Sequence, residues 1–120
     1  GNSTSYYKNG KIQEHVYYVN NKKNGDATWY FDTEQVSMRY EYDNGMIIDT
    51  AYAYYKTGEL KTTYVYIKNQ LNGEKTTYYP SGLVKEKGSF KNDLKHGNWC
   101  NYDSLGSKIN CVTYRNGIVK

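Results

Sequence analysis

The chain has 120 residues and a net charge of +4, and 17% of its residues are aromatic, with tyrosine alone supplying 16. This length fits one domain, and the dispersed acidic and basic residues exclude a dense nucleic-acid-binding tract. No apolar run approaches the roughly 18 residues of a membrane-spanning helix, and aliphatic residues are too few for a thick core, so a folded chain must rely on tyrosine rings.

The first five residues, 1–5, are short and polar. We expect them to form a disordered tail, or a remnant left by trimming that removed an export signal or a lipid-anchored tether. The folded domain is predicted to cover residues 6–120.

The rest of the chain repeats with a period of 24 residues. One position holds glycine in four of five units: Gly10, Glu34, Gly58, Gly82 and Gly106. An aliphatic residue follows two places later, or three in the last unit: Ile12, Val36, Leu60, Val84 and Ile109. A ring row follows at Tyr18, Tyr42, Tyr66, Phe90 and Tyr114. Such a period indicates a repeat array, and the predicted units are 6–28, 29–53, 54–77, 78–101 and 102–120.

Each unit contains two turn signals. The first follows an aromatic pair, namely Tyr6-Tyr7, Trp29-Tyr30, Tyr54-Tyr55, Tyr78-Tyr79 or Tyr102 alone. The second is an asparagine step, Asn20-Asn21, Asn44-Gly45, Asn69-Gln70, Asn92-Asp93 or Asn116-Gly117, which favours a type I′ hairpin turn. The segments between the turns are rich in Tyr, Thr and Val, which favours strands. The sequence thus predicts an all-β fold, an elongated, twisted, single antiparallel β-meander. Two strands per unit in five units give about ten strands, and at about 4.8 Å per strand the sheet would be about 45 Å long.

We expect the ring row and the aliphatic row to share the more sheltered face of the sheet. Gly88 interrupts a series on that face, because its equivalents one to three periods earlier are Tyr64, Tyr40 and Val16. A bend, a bulge or a neighbouring ring filling the gap is predicted there.

The two cysteines, Cys100 and Cys111, flank the turn over residues 103–106. On neighbouring strands they could lie opposite each other and form a disulfide that restrains the last hairpin. Two packed thiols and a metal or redox pair are the alternatives. A disulfide would favour an oxidising compartment.

No catalytic motif is evident. His15 and His96 stand in unrelated contexts, the carboxylates are scattered, and the glycines follow turn positions instead of forming a phosphate-binding loop. We therefore expect no enzymatic activity, no cofactor and no metal site.

Tyrosines that are not needed for the core can form an interaction surface, because tyrosine gives a large contact area at low entropic cost. The candidate interaction surface consists of Tyr52, Tyr54, Tyr78, Lys56, Lys61 and Lys75. Rings with lysines can also bind single-stranded nucleic acid, but the absence of a basic stripe disfavours that partner.

The recurring pattern Tyr-Tyr-x-x-Gly-x-Leu/Ile/Val, followed by Tyr-x-Asn-Gly, resembles the variant MORN repeat. The clearest copies lie at residues 54–79 and 78–99, and Gly25, Gly73 and Gly97 match a further glycine of the motif, from which Asp49 departs. Glu34 also departs from the pattern, so we expect a distorted turn in the second unit.

The resemblance implies an elongated sheet of hairpins and bacterial proteins of mostly unassigned role, many labelled antitoxin components (YwqK-like) and many exported or lipid-anchored. We expect a non-enzymatic binding or scaffold module outside the cytoplasm, presenting a tyrosine-rich sheet to a protein partner, or else to a glycan. Self-association through the edge strands is a further expectation. The alternative is a cytoplasmic antitoxin or immunity protein that binds a cognate toxin.

Overall fold

The computed structural model describes residues 1–120 as one antiparallel sheet of 12 strands without a helix. The strands are β1 (Asn2–Tyr6), β2 (Ile12–Val19), β3 (Lys22–Tyr30), β4 (Val36–Asp43), β5 (Met46–Tyr54), β6 (Leu60–Ile67), β7 (Gln70–Leu71), β8 (Gly73–Tyr78), β9 (Val84–Lys91), β10 (Leu94–Tyr102), β11 (Lys108–Arg115) and β12 (Ile118–Val119). Consecutive strands pair throughout, except that both β7 and β8 pair with β6. The predicted all-β meander is confirmed. The structure has no helix long and apolar enough to span a membrane.

The expected disordered tail at residues 1–5 is wrong, because Asn2–Tyr6 forms β1. This strand pairs with β2, and the Gly1 carbonyl accepts a 2.8 Å hydrogen bond from the Tyr18 amide. Gly1 lies one period before Gly25, so β1 occupies the position of the second strand of a preceding unit. By pairing with β2, β1 covers a strand that would otherwise be an open edge of the sheet.

The sheet is a single layer. Its principal extents are 45 × 31 × 18 Å, and only 7 of the 120 residues are buried. The long dimension agrees with the length predicted from the strand count. With no second sheet or helix to cover either face, side chains must find their packing partners on adjacent strands.

A row of cross-strand neighbours runs along the middle of one face, because side chains in register share a face. We call this the ring face and define it by this row together with the five-membered ring row. The middle row consists of Val16, Ala27, Tyr40, Ala51, Tyr64, Lys75, Gly88, Trp99 and Val112. The opposite side, the outer face, has a central row of His15, Thr28, Arg39, Tyr52, Thr63, Thr76, Lys87, Cys100 and Cys111.

The gap at Gly88 is filled by a neighbouring ring, which is the third of the outcomes expected from the sequence. A Cβ atom at Gly88 would lie 2.1 Å from Cδ2 of Trp99, so the indole occupies the space of the missing side chain. Trp99 is 4% exposed and donates a 2.9 Å hydrogen bond from Nε1 to the Ser89 carbonyl. Small and large residues have thus exchanged places here, because Trp99 occupies the position taken by Ala27 and Ala51 in earlier units.

The turns after the aromatic pairs share one hydrogen-bond pattern. In the first, the Gly10 amide donates to the Tyr7 carbonyl at 2.9 Å and the Tyr7 amide donates to the Lys11 carbonyl at 2.8 Å. In the second unit the Glu34 amide and the Phe31 amide donate the two equivalent hydrogen bonds, although Glu34 adopts a φ of +76°. The expected distorted turn is therefore not found. Glu34 instead takes up a left-handed conformation that suits glycine.

Three features of the repeat lie one residue away from the position predicted from the sequence. The aromatic pair of the second unit is Tyr30–Phe31, since Phe31 makes the turn bonds that Tyr7 makes. The third type I′ turn lies at Lys68-Asn69, with φ values of +46° and +71°. Lys108, not Ile109, pairs with Tyr102, which leaves Ile109 65% exposed.

Replacing Glu34 by glycine should stabilise the protein, because it relieves a left-handed backbone conformation that costs a non-glycine residue about 1 kcal/mol. We expect Glu34→Gly to raise Tm by about 3–5 °C in a chain of this size. The reciprocal variant Gly82→Glu introduces the same strain at an equivalent turn without a steric clash and should lower Tm by a similar amount. Equal Tm values for both variants and the wild type, measured by circular dichroism, would contradict this explanation.

The second tyrosine of each pair joins one unit to the next. The hydroxyl of Tyr55 donates to the Tyr78 carbonyl at 2.5 Å, and that of Tyr79 donates to the Tyr102 carbonyl at 2.8 Å. Tyr7 donates to the Tyr30 carbonyl in the same way. Phe31 occupies this position in the second unit and has no hydroxyl to donate.

Adding or removing this hydroxyl should change stability in opposite directions. Tyr55→Phe should lower the free energy of unfolding by about 1 kcal/mol, the net value of one hydrogen bond. Phe31→Tyr should raise it by up to about 1 kcal/mol, because it restores the bond missing from the second unit. Urea unfolding measures both changes, and a destabilising effect of Phe31→Tyr would show that the units do not share this geometry.

Candidate binding face

The five-membered ring row lies on the ring face, beside the middle row. Tyr42 and Tyr66 contact Tyr40 with centroid separations of 6.3 and 6.5 Å, and Tyr66 lies 6.4 Å from Tyr64. Tilted and edge-on contacts of this kind are the favoured arrangement of aromatic pairs. All five rings of the row are half-buried, so they pack on one another and still face solvent.

Each ring of the row lies opposite a position that favours glycine. The register pairs Gly25 with Tyr42 and Gly73 with Phe90. Asp49 takes this position opposite Tyr66 and adopts a φ of +59°. Strand pairing is irregular beside these positions, as between Val16 and Tyr18 and between Arg39 and Glu41, and such irregularities locally increase the twist of the sheet.

The tyrosines at the centre of this face stay protonated well above neutral pH. Burial, with the neighbouring phenols Tyr66, Tyr42 and Tyr64, raises the pKa of Tyr40 to about 12. Burial, followed by Tyr64 and Asp93, also raises the pKa of Tyr66. These hydroxyls are therefore hydrogen-bonding and packing groups at physiological pH, not phenolate nucleophiles.

Three lysines place their ammonium groups over the rings. Nζ of Lys23 lies 5.2 Å from the Tyr42 centroid, and Nζ of Lys75 lies 5.7 Å from Tyr64 and 5.8 Å from Trp99. Nζ of Lys95 lies 4.5 Å from the Trp99 centroid. These separations are within the range of cation–π attraction, so this face combines aromatic surface with positive charge.

Two of these lysines also have carboxylate partners on the same face. Lys23 pairs with Glu14 at 3.7 Å, and Lys75 pairs with Glu86 at 3.6 Å. Lys95 forms no ion pair. Neither Lys95 nor Trp99 was identified as a site residue from the sequence. The sequence signal that could have placed Lys95 on this face is its position in the 24-residue period, because Ile47 and Leu71 occupy the same position.

The ring face contains the largest depression in the molecule, with a volume of about 400 Å³. Its lining residues are Phe31, Ser37, Met38, Ala53, Tyr54, Lys61, Thr62 and Tyr64. A depression of about 210 Å³ on the outer face is lined chiefly by polar side chains, including Asp26, Thr28, Arg39 and Glu41. The mainly apolar lining makes the ring-face depression the better candidate for binding.

The six residues proposed from the sequence as an interaction surface do not form one patch. Tyr52 lies on the outer face and is 38% exposed, whereas Lys75 lies on the ring face. Tyr54 and Tyr78 end their strands and are half-buried. The ammonium groups of Lys56 and Lys61 lie 5.9 Å from the Phe31 centroid and 5.7 Å from the Tyr55 centroid.

Cys100 and Cys111 are direct cross-strand partners on β10 and β11 and are joined by a disulfide bond. Cys111 is exposed on the outer face. The bond therefore joins β10 to β11 on the face opposite the ring row.

Both histidines have structural hydrogen-bond partners. His15 Nδ1 lies 3.0 Å from the Thr4 hydroxyl, and His96 Nδ1 accepts a 3.4 Å hydrogen bond from the Asn116 amide. No group of three His, Cys, Asp or Glu side chains is arranged to hold a metal ion.

Comparison with known proteins supports the repeat assignment. The sequence model of a family described as MORN repeat variant matches residues 1–20 and 71–92. The two segments end at the same position of the period, since residues 20 and 92 are three periods apart. No curated protein matches the sequence.

Among solved structures, one similar chain belongs to a GtfA/B complex bound to UDP and GlcNAc. The two chains share 12% identity with a TM-score of 0.35, over 89% of this chain and 21% of the other. This chain thus spans only a small part of that protein, and a likeness at this level carries no functional argument. The family match over residues 1–20 and 71–92 confirms, for those segments, the resemblance to the variant MORN repeat that the recurring Tyr-Tyr-x-x-Gly pattern predicts.

Proposed function

We propose that the chain is a non-enzymatic binding module that uses the ring face to hold a macromolecular partner, a protein or a glycan. The observation that carries this proposal is the half-exposed ring row, which continues through all five units beside the largest depression. Rings in a monomeric core are usually covered, but a single-layer sheet leaves them on the surface. Tyrosine and tryptophan are enriched among the few residues that supply most of the binding energy at interfaces.

The outer face is less suited to this role. Threonine, charged residues and the disulfide occupy its central row, and its depression is about half as large. Interfaces are depleted in charge at their centres and enriched in aromatic residues. The distribution of side chains therefore favours the ring face over the outer face as the binding surface.

We further propose that the module works outside the cytoplasm. The Cys100–Cys111 disulfide supports this location, because such bonds persist in oxidising compartments and are rare in the cytosol. The same bond counts against the alternative of a cytoplasmic antitoxin. No feature of the ring face is particular to a toxin partner.

Matched tyrosine variants on the two faces test the binding proposal. Tyr66→Ala removes a ring of the ring face, and Tyr52→Ala removes one of similar size from the outer face. We expect Tyr66→Ala to weaken partner binding at least about tenfold, the effect of losing a hot-spot ring, and Tyr52→Ala to leave it unchanged. The partner is recovered with the wild-type protein from the envelope fraction of the source organism, and affinities are measured by surface plasmon resonance.

Both variants must be assayed well below their measured Tm values, since Tyr66 also packs on Tyr40 and Tyr64. Loss of binding by Tyr52→Ala with retention by Tyr66→Ala would assign the interface to the outer face. Recovery of no partner by the wild-type protein would contradict the binding function itself.

A further inference from the structure

Three rings pack together at the C-terminal end of the ring face, and the ammonium group of Lys95 lies over two of them, Trp99 and Tyr114. The Trp99 ring lies against the Gly88 backbone, and the Phe90 and Tyr114 rings stand nearly perpendicular to it, at 83° and 80°. Their centroids lie 5.0 and 6.5 Å from that of Trp99. Nζ of Lys95 is 4.5 Å from the Trp99 centroid and 5.1 Å from the Tyr114 centroid. We call Phe90, Trp99 and Tyr114 the aromatic cage.

Two ammonium groups lie over Trp99, those of Lys75 and Lys95, and only the Lys95 ammonium is without a carboxylate partner. Lys23, at the same position of the first unit, is paired with Glu14, and Lys75 is paired with Glu86. Lys95 has no such partner, so its ammonium is held by the rings alone. Electrostatic attraction to a ring quadrupole is modest, so a competing cation can replace the lysine ammonium.

A quaternary ammonium group is better suited to this site than the lysine that fills it. The lysine ammonium is compact and strongly hydrated, so it loses favourable contacts with water when it enters the cage. A trimethylated nitrogen has no hydrogen-bond donor to leave unsatisfied, and its methyl groups can contact the two rings that the Lys95 ammonium now covers. Exchange therefore returns Lys95 to water and gives the rings a cation that is less costly to desolvate.

We propose that the aromatic cage binds the quaternary ammonium of a phosphocholine group, and that Lys95 leaves the cage to pair with the phosphate. The flexible four-carbon stem of lysine allows this movement, and the pairing offsets the repulsion between the incoming cation and the displaced ammonium. The other units lack this site, because no tryptophan stands at the equivalents of Trp99, which are Lys75, Ala51 and Ala27. The inference goes beyond the proposed function, since it assigns a small-group site that does not require a macromolecular partner.

A single-tryptophan protein provides the readout. The chain has two tryptophans, so Trp29→Phe leaves Trp99 as the only indole, and a circular dichroism melt establishes that this variant folds. We expect phosphocholine to cause a saturable change in Trp99 fluorescence. Phosphoethanolamine, with the same anion and a primary ammonium, should bind about tenfold more weakly, and inorganic phosphate alone should produce no change.

Variants at equivalent positions separate the cage from general effects of the ring face. Tyr114→Leu removes one ring of the cage and should abolish the response, whereas Tyr18→Leu, four periods earlier, should retain it. Lys95→Met removes both the resident cation and the phosphate partner, so choline should bind at least as tightly as phosphocholine. Lys23→Met is the matched control and should keep the wild-type preference for phosphocholine.

Equal binding of phosphocholine and phosphoethanolamine would overturn the proposal, since it would indicate simple attraction of an anion to lysine. No fluorescence change in either the wild-type or the Lys95→Met background would also overturn it, and Lys95 would then be only a cover for the rings. Co-sedimentation with phosphatidylcholine vesicles distinguishes the source of the group. Vesicle binding that is lost in Tyr114→Leu supports the site with a lipid headgroup as its ligand, and binding of soluble phosphocholine alone supports it with a non-lipid source. If phosphocholine does not bind but Tyr66→Ala still weakens partner binding, this inference is wrong and the proposed function stands.

Discussion

The structure depends on packing between rings and backbone across neighbouring strands of a single sheet. No second layer covers either face, so a large side chain is accommodated only where the adjacent strand carries a small one. Ala27 lies opposite Tyr40, Ala51 lies opposite Tyr64, and Gly88 leaves space for Trp99. This alternation buries apolar surface within a layer one strand thick, and it explains why rings can replace the missing aliphatic core.

The same constraint shapes function. Rings that stabilise a single-layer sheet keep one side toward solvent, so the stabilising surface and the binding surface are the same set of residues. A change that enlarges the binding face therefore also changes stability, and the two effects must be measured together. Lys23, Lys75 and Lys95 add positive charge to this face, and of these three only Lys95 forms no ion pair. The departure from strict repetition at Gly88 and Trp99 places an indole on the ring face beneath Lys95.

Much of the fold was predictable from the sequence, because the turns are encoded locally. The asparagine steps and the spaced glycines specify hairpins regardless of what packs on them. The errors arose where other residues adopt the same backbone conformation, as Glu34, Asp49 and Lys68 do at positive φ. The face of each tyrosine was harder to assign, since it depends on strand pairing and on the irregularities beside Gly25 and its equivalents. For this reason the six residues predicted to form an interaction surface do not lie together. The aromatic cage was not predicted, because its residues come from three strands.

A double-mutant cycle at Gly88 and Trp99 tests the central claim most directly. Gly88→Tyr places a tyrosine where Tyr40 and Tyr64 stand in other units, and Trp99→Ala restores the alanine found at positions 27 and 51. We predict from urea unfolding that each single variant loses about 2 kcal/mol or more, through overpacking or through a cavity. The double variant should recover most of this loss, with a coupling energy of about 2–3 kcal/mol. Simple addition of the two losses would contradict the account, since it would show that the ring and the space opposite it do not act as a pair.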